Sequence, residues 1–325
     1  MKTLFVFALL GCALPLRAQE PQAITDSASR HHFRDIIYAH RDRSYITAGG
    51  GLGNVEPLMF EARLSPGFVM ALRNKNRGLL LNPQVVARMD HKRSFPINSP
   101  SYKANLFYYQ GIDLKEKSFL KKLFYDEALW YASINHYSNG GDGSFYVGSS
   151  DKIVNLEDGS FSTDYATLGF SSYRVKKKED GLTAFRLAKA GTEFHFPNST
   201  TENMLSVFGR YRFSLTWKSA GLWDDQSATW LKKWRQHSGI EVQTGWIAGR
   251  ILQVSSGNIN KRWMLDISYH YYPSWFNEIS FFIRFYRGQD YYNIYFVNTI
   301  HIVNFGINTN LMNPAQVVKN IGKKR

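Results

Sequence analysis

An all-β chain closed into a transmembrane antiparallel β-barrel of about twelve strands is the fold class that three observations predict. Beyond its first eighteen residues the chain has no apolar run of the length, about eighteen residues, that a membrane-crossing helix needs. Its aromatic content is high, with 23 Phe, 19 Tyr and 8 Trp among 325 residues, which suits the aromatic girdles of a barrel better than an ordinary core. Segment after segment alternates apolar and polar residues with period two, the pattern of a strand with one face in lipid and one in a polar lumen. A mean hydropathy of −0.34 fits such alternation, because the two faces average out.

Taken in order, residues 1–18 (MKTLFVFALLGCALPLRA) combine Lys2, an apolar stretch from Leu4 to Leu16 and small Ala18 before Gln19, the build of a secretory signal peptide. Cys12, the single cysteine, lies inside it, so the mature chain is expected to hold no disulfide; Leu9-Leu10-Gly11-Cys12 also resembles a lipoprotein cleavage box. Residues 19–43 are expected to form an N-terminal periplasmic segment and 44–311 the barrel. Strand-like alternation recurs near 44–55, 58–72, 78–91, 104–114, 123–138, 161–176, 183–196, 205–218, 238–252, 262–273, 279–289 and 294–310. In 208–217, Tyr211, Phe213, Leu215 and Trp217 share one face, while Arg210, Arg212, Ser214 and Thr216 share the other and predict a polar lumen. In 265–272 the same split sets Leu265, Ile267, Tyr269 and Tyr271 against Asp266, Ser268 and His270. The interruption at 219–237 reads as an amphipathic periplasmic helix, and 312–325 as a basic tail.

The formal charge of +14 raises a nucleic-acid reading, which the distribution of the charge excludes. Basic residues are scattered apart from Lys176-Lys177-Lys178 and the C-terminal Lys323-Lys324-Arg325, and neither cluster has the aromatic interleaving of a nucleic-acid module. Cations lining a lumen and facing anionic head groups account for the charge.

The candidate chemistry lies at His136-Tyr137-Ser138-Asn139-Gly140-Gly141-Asp142-Gly143, where a strand runs into a glycine-rich loop. Strand alternation puts Trp130, Ala132, Ile134, His136 and Ser138 on the more apolar face, so His136 and Ser138 are expected to look outward at the strand end, where polar groups on a lipid face cost least. Asp164 falls on the apolar face of the next strand, and a hairpin through loop 139–160 brings it toward His136. A hydroxyl, an imidazole and a carboxylate in that order can activate serine for ester hydrolysis. The backbone N–H groups of Asn139 and Gly140 are candidate oxyanion donors. The loop also offers hard oxygen ligands for calcium, with Asp142 and Ser160 as the candidates.

These residues resemble the active-site segment of the outer membrane phospholipase A family. The resemblance implies an outer-membrane barrel that hydrolyses acyl esters of membrane phospholipids, with His136 as base, Ser138 as nucleophile, calcium held by the loop and activity as a homodimer. That family has an asparagine as third member on the following strand, where this chain has Asp164; Asn155 is the alternative, in the loop. H-Y-S-N also resembles lipid A deacylase, a smaller barrel with a carboxylate third member. A non-catalytic barrel, pore or lipid-binding protein, is the remaining reading.

Overall fold

The computed structural model describes residues 36–53, 58–71, 77–94, 96–112, 125, 127–148, 153–177, 183–221, 234, 237–251, 254–273, 275–276 and 279–309. The signal segment 1–18 with Cys12, the tail 312–325 and most of 219–237 lie outside them. Thirteen strands follow in order: β1 (Tyr45–Thr47), β2 (Leu58–Leu64), β3 (Phe68–Ala71), β4 (Arg77–Asp90), β5 (Ser101–Ile112), β6 (Glu127–Ser138), β7 (Ser162–Lys177), β8 (Thr183–His195), β9 (Tyr211–Ala220), β10 (Ser238–Ala248), β11 (Trp263–Tyr271), β12 (Ile279–Gln289) and β13 (Thr299–Thr309).

Each strand pairs antiparallel with its neighbours, and β1 joins β13 to β2, which closes the sheet. Both β2 and β3 lie along β4, so together they make one interrupted stave and the barrel has twelve. The interruption has a plain cause. Leu64 pairs with Val85 and Phe68 with Leu81, which sets Pro66 opposite Pro83. Neither proline carries an amide hydrogen, so the ladder cannot continue there. Asn82 bridges the gap with its side-chain amide, donating to Ser65 Oγ at 3.0 Å and to the Pro66 carbonyl at 2.7 Å.

Where the alternation overran a strand, local backbone stopped it. The expected strand 44–55 ends at Thr47, because Gly49, Gly51 and Gly53 take φ of 72°, 82° and 84°. The stretch 205–218 opens with a helical turn at Leu205–Phe208, and 294–310 opens with a 3-10 turn at Asn293–Val297. The helical turn also corrects the placement of Arg210. Arg212 points into the lumen, where it donates to Gln289 Oε1 at 2.5 Å. Arg210 precedes β9, and its guanidinium lies 4.9 Å from the Phe194 ring and 5.6 Å from the Tyr211 ring, on the outer wall.

Outward positions are apolar, with Leu106, Ile134, Leu168, Phe213 and Leu215 exposed, as a lipid-facing surface requires. Many inward positions are polar, and several of their charges are paired. Arg88 is held by Glu61 at 2.7 Å and Asp290 at 3.1 Å, and Arg284 by Asp266 at 2.7 Å. Apolar clusters lie toward both ends of the lumen. Ile36 and Ile37, in a helical turn over 36–40, pack against Leu80, Leu129 and Leu187. At the end bearing loop 139–161, Phe145, Phe161, Phe208, Ile294 and Phe296 cluster. A chamber of about 290 Å³ lies between, lined by charged groups that include Asp42, Lys103, Lys189, Glu193 and Arg212.

Candidate active site

The site follows from strand register. His136 on β6 stands directly opposite Asp164 on β7, and Ser138 opposite Ser162. Opposed residues on an antiparallel pair have Cβ atoms about 5 Å apart, and residues two apart on one strand are separated by about 6.7 Å. One imidazole on His136 can therefore reach sideways to Asp164 and forward to Ser138. It does both: His136 Nδ1 lies 2.8 Å from Asp164 Oδ1, and His136 Nε2 lies 3.2 Å from Ser138 Oγ. The side chains of His136 and Asp164 are 46% and 33% exposed, so the three groups sit on the outer wall and open away from the lumen. The inward residues of β6 are buried, Asn135 and Tyr137 on either side of His136 among them.

Asn155, the alternative third member, makes its hydrogen bonds within the loop, donating to the Ser144 carbonyl at 3.2 Å and to Asp158 Oδ1 at 2.5 Å. The candidate oxyanion donors separate as well. Asn139 N–H is directed at the Phe161 carbonyl at 3.4 Å, which extends the β6–β7 ladder by one step and turns that amide into the wall. This corrects the expectation that both amides face the reaction space. Gly140 has φ of 65°, a conformation that favours glycine. Its N–H donates to no group among the described residues.

Two further contacts shape the wall beside Ser138. The Asn139 side chain, 3% exposed, donates from Nδ2 to the Gly159 carbonyl and to Asn293 Oδ1, both at 2.7 Å, while its Oδ1 accepts from Phe161 N–H at 3.0 Å and Gly141 N–H at 3.3 Å. One buried amide thus ties both ends of the loop to the segment at Asn293, immediately after Ser138. Tyr102 on β5 pairs with Ser138 and lies with its ring 3.3 Å from where a Cβ on Gly140 would stand. Gly140, two residues after Ser138, was the available signal for Tyr102; nothing local marked Asn293, 154 residues away from Asn139.

Asp142 is exposed and Ser160 half-buried. Among the described residues no three of His, Cys, Asp or Glu gather as a metal would need. The neighbouring carbonyls are engaged: Gly143 O accepts from Ser160 N–H, Asp158 O from Gly143 N–H and Gly159 O from Asn139 Nδ2. These residues do not by themselves form a calcium cage.

Below the three groups the outer wall is hollowed. Small Ala132 and Ala166 form the floor of an open groove between Leu106, Ile134, Leu168 and Phe194. The groove is apolar and begins one residue row from His136, since Ile134 pairs with Ala166 and Ala166 with Phe194.

No protein-family model matches the chain, and no curated protein matches it in sequence. Solved structures do match in fold. Outer membrane phospholipase A from Escherichia coli is 13% identical, with a TM-score of 0.50 over 83% of this chain and 91% of that one. An active-site mutant of the same protein at pH 6.1 gives the same figures. An outer membrane phospholipase dimer with bound calcium from Salmonella typhi matches over the same shares at 13% identity, with a TM-score of 0.49. At this identity the likeness is one of fold: a transmembrane β-barrel.

Proposed function

We propose that this protein is an outer-membrane esterase that hydrolyses acyl esters of membrane phospholipids from the lipid-facing side of its barrel. One observation carries the reading: a single imidazole joins Ser138 Oγ and the Asp164 carboxylate on the outer wall, at the head of an apolar groove. Ser138 Oγ attacks the ester carbonyl carbon while His136 Nε2 takes its proton. Asp164 accepts from Nδ1–H, fixes the tautomer that leaves Nε2 free as base, and supports the imidazolium. The tetrahedral oxyanion lies toward Gly140 N–H. Its collapse breaks the bond to the alcohol oxygen, which takes the proton from Nε2 and departs as a lysolipid. Water, deprotonated by the same nitrogen, then attacks the acyl-serine, frees the fatty acid and restores Ser138. The acyl chain lies in the groove, where the surrounding lipid or the same wall of a second copy covers its open side, so the homodimer that the resemblance implies belongs to this proposal.

Calcium belongs to it through the resemblance alone, with Asp142 and Ser160 as the residues of this chain that could contribute oxygen ligands; none of the steps above runs through the ion. The apolar clusters at both ends of the lumen weigh against a passive pore. The carboxylate on the imidazole favours lipid A as a second substrate class, and the twelve staves favour phospholipid. The test is fatty-acid release from phospholipid and from lipid A in detergent micelles by the wild type, Ser138→Ala and His136→Ala, with calcium or with chelator. Equal release by wild type and Ser138→Ala ends the nucleophile assignment. Activity that survives chelation removes calcium alone.

A further inference from the structure

The outer wall beside the three groups carries a cation that the hydrolysis scheme leaves unused. Arg210 lies over the Phe194 and Tyr211 rings, 4.9 and 5.6 Å from their centroids. Its Nε is buried and has no hydrogen-bond partner, and the guanidinium forms no ion pair among the described residues. Phe194, its platform, is also a wall of the apolar groove. Register links this corner to Asp164 as well, because the Phe196 amide donates to the Asp164 carbonyl at 2.9 Å, two residues beyond Phe194 on the same run of chain. Phe194 lies two stave spacings from β6 and, through Ala166, level with Ile134, four residues short of Ser138, so its backbone stands on the order of 16 Å from that of Ser138, a gap that the Phe194 and Arg210 side chains and the lipid itself span.

A guanidinium set against aromatic rings is weakly hydrated and presents a fork of N–H donors that matches a phosphate in bidentate fashion. An uncompensated cation at the edge of a lipid-facing wall is stable only where it meets water or an anionic head group. The groove and the cation therefore describe an amphiphile: an acyl chain along Phe194 and a negative charge above the same ring. We propose that Arg210 binds the phosphate of the lipid whose ester lies at Ser138, and so selects phosphate-bearing lipids over neutral acyl esters. The assignment rests on the esterase reading above. Its chemistry is shared by the phosphodiester of a glycerophospholipid and the phosphomonoester of lipid A.

The test has a catalytic arm and a binding arm. In the first, the wild type, Arg210→Gln and Arg210→Lys are compared on phosphatidylglycerol, lipid A and diacylglycerol in uncharged micelles, with KM and kcat separated. Arg210→Gln is expected to raise KM about tenfold for phosphate-bearing substrates while leaving kcat and all diacylglycerol kinetics unchanged, and Arg210→Lys to recover part of the loss. Whichever of the two phosphate lipids shows the KM effect identifies the source. Equal loss on diacylglycerol would mean a structural role and overturns the assignment, as does no change on any substrate. In the second arm, dialkyl ether lipids with and without a phosphate head group are titrated into Ser138→Ala and into Ser138→Ala with Arg210→Gln. Tighter binding of the phosphate-bearing ether, lost with Arg210, upholds the anchor even if no lipid is hydrolysed, in which case the esterase reading alone fails. Equal binding of the two ethers by Ser138→Ala overturns the anchor.

Discussion

Replacing Asp164 by Asn separates the two tasks given to that carboxylate. With its amide oxygen turned to His136 Nδ1–H, Asn keeps the ring's orientation and tautomer and loses only the negative charge; with its NH2 turned there it selects the opposite tautomer and the loss is larger. At the 2.8 Å contact the charge centres of carboxylate and imidazolium lie about 4 Å apart, which corresponds to about 4 kcal/mol at an effective dielectric of about 20. Both side chains are well exposed, at 46% and 33%, so solvent screening reduces the figure to about 1–2 kcal/mol. Asp164→Asn is therefore expected to lower kcat by at least about tenfold with KM unchanged. Asp164→Ala loses orientation as well and is expected to lower kcat by about a hundredfold to a thousandfold. The assay is fatty-acid release under saturating phospholipid in mixed micelles, with each variant checked for the heat-modifiable migration of a folded barrel. Asn and Ala variants that both stay within twofold of wild type would refute the relay. A loss confined to KM would move Asp164 from supporting the imidazolium to binding lipid.

Ser138→Ala and His136→Ala are each expected to lower hydrolysis by about a thousandfold or more, yet to leave the urea midpoint of the barrel almost unchanged, because both side chains sit on the outer wall. Ala166→Phe would fill the groove, and kcat/KM should fall about tenfold for long-chain esters but little for short-chain ones; equal losses on both would mean that the chain lies elsewhere. Asn139→Ala leaves buried partners at Gly159, Phe161 and Asn293 unsatisfied and should cost about 3 kcal/mol in urea unfolding, with activity reduced in the fraction that remains folded. Arg88→Met strands Glu61 and Asp290 inside the lumen and should destabilise by about 3–5 kcal/mol, while kcat of the folded protein holds; an unchanged urea midpoint would show that water replaces the ion pairs.

The alternating pattern by itself determined much of this molecule: an all-β barrel of twelve staves, its apolar residues outward, with His136 and Ser138 on the outward row at the end of one strand. It could do so because side-chain direction along a strand has a period of two and lipid on one side enforces it. Local breaks were less legible. Pro66 and Pro83 each look tolerable alone, and only their opposition across β2–β3 and β4 splits the stave. Counting back along the alternation points Arg210 inward, but the strand begins one residue later, after a helical turn.

What only the tertiary structure decided is which residues meet. Asp164 reaches His136 because β6 and β7 pair in one register. A slip of one residue would carry Asp164 through the wall into the lumen, and the sequence of either strand allows many offsets until the apolar faces of all its neighbours select one. The same holds for Asn139 with Asn293 and for Arg88 with Asp290, contacts between residues 154 and 202 positions apart that exist only once the sheet has closed. Closure removes the last free edge and fixes every register together, so a period-two pattern dictates the face a residue takes while the closed sheet dictates its partner.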